Sequence, residues 1–172
     1  MALKVRATGK TRLSPTELFP LLADPRGCMT WHDHPESVRP DSTDAPPGPA
    51  LAGAEYWTRG LCGKIQWRAR TTVVAAEPSH RYATDVETIF SHPRAPRTKS
   101  SERFVLEQQD GIGSRIRYEI DFARDETGLD WFQRAYFGVV DRLIVAPSLR
   151  RNFHHVIRAA ESEAARAASS RH

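Results

Sequence analysis

Apolar and polar residues alternate with a period of two from residue 3 to residue 13. Leu3, Val5, Ala7 and Leu13 share one face; Lys4, Arg6, Thr8, Lys10 and Arg12 share the other. One greasy and one charged side predict a half-buried strand. Ser14-Pro15-Thr16-Glu17 then reads as a helix start, with Ser14 as cap, Pro15 in the first turn and Glu17 completing a capping box. Leu18, Phe19, Leu21 and Leu22 give a short apolar helix. Asp24-Pro25 restarts the pattern for a second short helix to about Met29, closed by Trp31. Residues 32–53 are irregular: Val38 suits a brief strand, and Ala45-Pro46-Pro47-Gly48-Pro49 a surface loop.

From Ala54 the period of two returns. Strands are predicted over Glu55 to Leu61, Lys64 to Glu77, Arg81 to Phe90, Ser101 to Gln109 and Ser114 to Ala123. In the long second one, Ile65, Trp67, Ala69, Thr71, Val73 and Ala75 share a face. Tyr82, Val86 and Phe90 do so in the third, Phe104 and Leu106 in the fourth, and Ile116, Tyr118, Ile120 and Phe122 in the last. Asp110-Gly111-Ile112-Gly113 supplies a hairpin turn. From Leu129 the spacing becomes helical: Leu129, Phe132, Tyr136, Val139, Val140 and Leu143, then Phe153, Val156, Ile157 and Ala160. A helix of roughly 40 residues would run about 60 Å, and Pro147 is placed to kink or briefly break it.

Strands with one apolar face need a cover, and the terminal helix is the only element long and apolar enough to provide it. The predicted class is α+β: a curved antiparallel sheet wrapped around a long C-terminal helix, with two short helices after the first strand. A cavity between sheet and helix is expected, because a strongly bent sheet and a straight helix do not touch along their whole length. Length predicts one domain over residues 1–172, with an Ala/Ser/Arg-rich tail that frays after about residue 165.

Composition adds exclusions. The chain is 40% hydrophobic and 27% charged, with a formal charge of +4 spread over the sequence, which gives no nucleic-acid-binding block. Cys28 and Cys62 form no metal or redox motif and read as free thiols. The N-terminus lacks a signal-peptide core and no 18-residue apolar run occurs, so a cytoplasmic protein without membrane insertion is expected.

Ser14-Pro15-Thr16-Glu17-Leu18-Phe19, the step from Asp24 to Trp31, and Val73-Val74-Ala75-Ala76-Glu77-Pro78 with Arg81 just after it resemble segments of the START/SRPBCC superfamily. So do Asp110-Gly111 through Arg115-Ile116, where the family often has Gly-Thr rather than Gly-Ser, and the terminal helix with Glu161 near its end. Within that superfamily the chain is most similar to the bacterial polyketide cyclase/dehydrase-like and lipid-transport branch, over nearly its whole length. The resemblance implies the helix-grip fold shared with the birch pollen allergen. It does not by itself imply an activity, because members bind unlike ligands.

Several side chains are candidates for a site. Trp31, Trp57, Trp67, Tyr82, Phe104, Tyr118, Phe132 and Tyr136 are the set expected to line an apolar pocket with a few hydroxyl and indole donors. Arg68, Arg70 and Arg103 alternate outward. The aromatase/cyclase members place an Arg inside the pocket on a comparable strand, but Trp67-Arg68-Ala69-Arg70 matches that segment only loosely and lacks the accompanying Ser. His32-Asp33-His34, even with His154-His155, lacks the rigid placement of a metal site, so no metal and no cofactor are expected.

Three functions fit. The first is binding of a hydrophobic small molecule, such as a lipid, a polyketide or another aromatic. The second is a cyclase/dehydrase-type enzyme for aldol ring closure and dehydration, with Tyr82, Tyr118, His80 and Arg70 as acid–base candidates. The third is an interaction module, a homodimer included, because Trp131, Phe137 and Val145 lie off the main stripe of the terminal helix.

Overall fold

A computed structural model describes residues 2–31, 38–92, 95–109 and 113–169, without the side chains of Thr30, Trp31, Val38 and Arg39. Seven strands form one antiparallel sheet: β1 (Ala2–Thr11), β2 (Val38–Thr43), β3 (Glu55–Cys62), β4 (Ile65–Glu77), β5 (Arg81–Phe90), β6 (Thr98–Gln108) and β7 (Ser114–Arg124). Their spatial order is β1-β7-β6-β5-β4-β3-β2, a meander whose first strand closes beside its last. The helices are α1 (Pro15–Leu22), α2 (Pro25–Trp31), α3 (Trp131–Val140) and α4 (Ala146–Ser169), with a π-helical turn, Asp141–Val145, joining the last two. This is the predicted helix-grip architecture of a curved sheet and a long C-terminal helix.

Each start signal read in the sequence is in use. The Ser14 hydroxyl accepts from Glu17 N–H, and Ser14 N–H donates to the Glu17 carboxylate at 2.8 Å. On the convex face, Arg6–Glu119, Lys4–Asp121, Arg70–Glu87 and Arg117–Glu107 pair opposite charges across strands. All are solvated, so they set register and solubility more than stability.

The core lies where α1 and α4 meet the concave face: Val5, Leu18, Leu22, Val73, Tyr82, Leu106, Ile116, Tyr118, Phe153, Val156 and Ile157 are all buried there. Helix α4 grips the sheet at three points. Phe153 stacks on Tyr118, with ring centroids 5.1 Å apart. Glu161 accepts from the Thr11 hydroxyl at 2.7 Å and from Arg12 N–H at 3.1 Å. Gly9 leaves room for the helix, since a Cβ there would overlap Ile157 Cδ1 and press on the Phe153 ring. Gly9→Ala is therefore expected to cost about 1–3 kcal/mol in a urea unfolding curve, and adding Ile157→Val should recover part of the loss.

Two expectations are corrected. In β4 the inward pattern is not continuous: a bulge between Val73 and Ala75 shifts the register, and Ala76 rather than Ala75 packs on the core. The second concerns the helix. Pro147 does not break it but sits in the first turn of α4. Lacking an N–H, it cannot close a bond to the turn before it, and there the helix widens, with Ala146 N–H donating to Asp141 O. The extra residue rotates everything upstream by about 100°, one residue's share of a 3.6-residue turn. The stripe of Phe132, Tyr136, Val139 and Leu143, expected to face the sheet, consequently faces solvent and is more than half exposed at every position.

Candidate functional site

Strand register assembles the concave face in rows. One row runs Ala76, Tyr82, Phe104, Tyr118, Ala7 across the sheet. The next runs Val73, Thr84, Glu102, Ile120, Val5, and the third Tyr56, Thr71, Val86, Ser100, Phe122, Leu3. Helix α4 seals the first row at Tyr118, and the turn before α4 seals the far end. There Arg124 Nη2 donates to Asp141 Oδ1 at 2.6 Å, with both side chains buried. In between, Tyr56, Val86, Ser100, Glu102 and Phe122 point inward yet are only half-buried.

Glu102 is the group sequence reasoning missed. It shares its face of β6 with Thr98, Phe104 and Leu106, and that parity was the signal that would have found it. No described residue makes a hydrogen bond or ion pair with its carboxyl. Burial therefore raises its pKa from 4.5 to about 7. Its charge is felt by Cys28 of α2, Tyr56 of β3, Tyr82 of β5 and Tyr118 of β7, which surround it from four elements. Burial raises the Tyr56 phenol to about 12 and those of Tyr82 and Tyr118 also upward, so all three stay protonated donors. The Tyr56 hydroxyl is turned toward those of Thr71 and Tyr82. Cys28, raised to about 12 by the same burial, donates to the Leu21 and Leu22 carbonyls and is chemically quiet.

The predicted site residues divide. Tyr82 and Tyr118 are buried on the concave face, and Phe104 lies between them, its ring centroid 5.0 Å from that of Tyr118. Trp67 lies farther along the same face, its buried indole N–H without an acceptor among the described residues. It shares an open cleft of about 650 Å³ with Leu61, Gln66 and Phe90. Trp57 does not point inward: its neighbour Tyr56 takes the inner position, and Trp57 lies on the convex side under the Arg68 guanidinium, 5.3 Å from its ring. Phe132 and Tyr136 are on the solvent side of α3. Of the acid–base candidates, Arg70 is outside, paired with Glu87, and His80 is exposed in the β4–β5 turn. The Trp31 side chain and His32-Asp33-His34 lie outside the described residues. His154 and His155 sit on α4, where His154 lines an open groove against Lys10 and Arg115. No group of three or more His, Cys, Asp or Glu among the described residues is placed to hold a metal.

A half-buried carboxyl lies among phenols on the concave face, and comparison of the whole chain places the fold that holds it. Residues 2–161 match the family model described as polyketide cyclase/dehydrase and lipid transport. The chain belongs to this family. Its SRPBCC fold is shared with SA2116 from Staphylococcus aureus, a protein of unknown function, at 9% identity and a TM-score of 0.64, over 95% of this chain and 96% of that one. Mll3558 from Rhizobium loti matches at 15% identity and a TM-score of 0.62, over 92% and 97%. Ara h 8.0201 matches at 15% identity and 0.59, over 95% and 97%. At such identities these likenesses speak for the fold alone. No curated protein is significantly similar to the chain. Among the described residues, no helix of this family member is long and apolar enough to cross a membrane.

Proposed function

We propose that the protein binds a hydrophobic small molecule between the concave face of the sheet and its C-terminal helix. The polar end of the ligand would lie at Glu102 and the Tyr56, Tyr82 and Tyr118 hydroxyls. The observation that carries this is the state of the middle rows: Val86, Phe122 and Tyr56 point into the fold yet are only half-buried, beside a carboxyl that no described residue satisfies. A core closed for its own sake would cover those apolar side chains, and would not leave a half-buried acid without a partner. The unpartnered Trp67 indole N–H suits a second acceptor at the other end of an elongated ligand. Such a molecule is an aromatic, a polyketide or a lipid with one hydrogen-bonding head.

Native mass spectrometry of the purified protein tests this. A co-purified or added molecule of this class should appear at one per chain and be lost in Phe122→Arg, which fills the middle of the face with a charge. A wild-type protein that takes up no member of a lipid, flavonoid and polyketide panel would overturn the reading.

Glu102 favours a second reading, that of a cyclase/dehydrase-type enzyme. A carboxyl that titrates near neutrality both accepts and donates protons at cellular pH. As carboxylate it would take a proton from the carbon beside a ketone; the resulting carbanion would close on a second carbonyl carbon of the folded chain. The alkoxide formed would take that proton back from Glu102; the carboxylate would then remove the second proton from the same carbon, the C=C bond would form as the hydroxyl leaves, and the departing hydroxide would take this proton from Glu102 to leave as water. Tyr82 and Tyr118 would steady the developing oxyanion by donating to it. Turnover of a poly-β-ketone by wild type, falling by about 10²–10⁴ in Glu102→Gln, would support the enzyme; binding without turnover would leave the carrier.

A further inference from the structure

Strand register puts Glu102 at the centre of a small grid on the concave face. Thr84 and Ile120 lie directly beside it, and Ser100 and Phe104 are its inward neighbours along β6. Tyr82, Tyr118, Val86 and Phe122 take the diagonal positions, within reach of a long side chain. Half of these neighbours are aromatic rings, and none is a cation. The titratable groups that face the carboxyl are the Cys28 thiol from α2 and the phenols of Tyr56, Tyr82 and Tyr118 from β3, β5 and β7, all kept protonated by burial. Of the side chains that β1 and β3 to β7 turn inward, Glu102 and Arg124 are the charged ones, and Arg124 is paired with Asp141.

The head of the ligand follows from what an acid adds at this place. A carbonyl or any other acceptor is already served by the Tyr82 and Tyr118 hydroxyls and needs no carboxyl. A neutral alcohol meets one lone pair of a carboxylate and leaves its charge unbalanced. A protonated amine donates to the carboxylate, balances its charge and lies against the negative faces of the rings around it. The fold holds its own cations in the same way: the Arg124 guanidinium lies 4.4 Å from the centre of the Phe137 ring and 5.5 Å from that of Phe122, and Arg68 lies 5.3 Å from that of Trp57. We propose that the head of the ligand is a cation, an amine carried on an apolar body, with Glu102 as its counter-ion and the Tyr82, Phe104, Tyr118 and Phe122 rings as its walls. This rests on the cavity reading above and narrows its ligand to a cationic amphiphile.

Equilibrium dialysis of the full-length protein against para-butylbenzylamine and para-butylbenzyl alcohol tests it, because the two share a shape and differ in charge. At about pH 8 the amine should bind about tenfold or more tightly than the alcohol. At about pH 5.5 the carboxyl holds its proton, so the advantage of the amine should shrink to about twofold or less, while the alcohol changes little. A head that accepts from the protonated acid would show the opposite trend. Glu102→Gln should erase both the preference and its pH dependence and still take up the alcohol, which reports that the pocket is intact; the wild-type comparison across pH stands without the variant. Alcohol bound as tightly as amine by wild type at about pH 8 overturns the inference and leaves the cavity reading standing, and so does a preference for the amine that survives Glu102→Gln. Refusal of both compounds by wild type also overturns it: the cavity reading stands if the lipid, flavonoid and polyketide panel still binds, and falls with it if that panel is refused too.

Discussion

Glu102→Gln should stabilise the protein above about pH 7 and leave it unchanged below about pH 4.5. In the folded chain the carboxyl titrates at about 7, against 4.5 when free. Below the lower value both states hold the proton, and Gln, which is neutral and of the same shape, changes nothing. Between the two values the unfolded chain releases its proton and the folded one keeps it, so wild-type stability falls as pH rises. Above about 7 the folded state carries an unpaired, half-buried carboxylate and the loss is complete. At 1.36 kcal/mol per pH unit it reaches at most about 3 kcal/mol, less whatever relief solvent gives the half-buried group. The measurement is the difference in urea unfolding free energy between variant and wild type across that window. Subtraction cancels the other carboxylates. A difference that is flat with pH, or favours wild type at high pH, would mean that Glu102 has a cationic or donating partner. A bound ligand that accepts a hydrogen bond from the protonated acid should bind less well above pH 7 in wild type, and with no such dependence in the variant.

That Glu102 escaped a reading of the sequence has a physical cause. Ser100, Ser101, Glu102 and Arg103 are four polar residues in a row, so although the predicted strand ran from Ser101 and included Glu102, alternation was not carried back to it from Phe104 and Leu106. In β1, β5 and β7 the two faces differ at almost every step, and there the strands were legible almost to the residue. In β3, Tyr56 and Trp57 are adjacent aromatics. The pattern held no contrast to choose between them, and the register with β4 put Tyr56 inside. For α3 the sequence showed that one face wants a cover; amphipathicity does not say whether the cover is this chain's sheet or something outside it. The widening that turns the stripe outward is written only in Pro147, whose missing N–H acts on the turn before it.

Removing either member of the Arg124–Asp141 pair should destabilise the fold by about 3–5 kcal/mol. The two meet at 2.6 Å with side chains 12% and 3% exposed, where the last strand hands over to the helix. Asp141→Ala would strand a guanidinium whose Nε already lacks a partner, held over the Phe137 ring at 4.4 Å. Arg124→Met would strand a carboxylate with almost no water. The cost is that of a buried charge left alone, so the effects should not add: Arg124→Met with Asp141→Leu, which removes both charges and keeps the bulk, should be more stable than either single variant. The pair also sits at the π turn, and the single variants should loosen that end before the core. Amide exchange would rise first in α3 and in the last residues of β7, while Phe153, Val156 and Ile157 of α4 hold their protection against Gly9 and Tyr118. Single variants that lose less than about 1 kcal/mol, or exchange that rises evenly over α3 and α4, would mean that the helix is held on the sheet by α4 alone and that the ion pair only follows it.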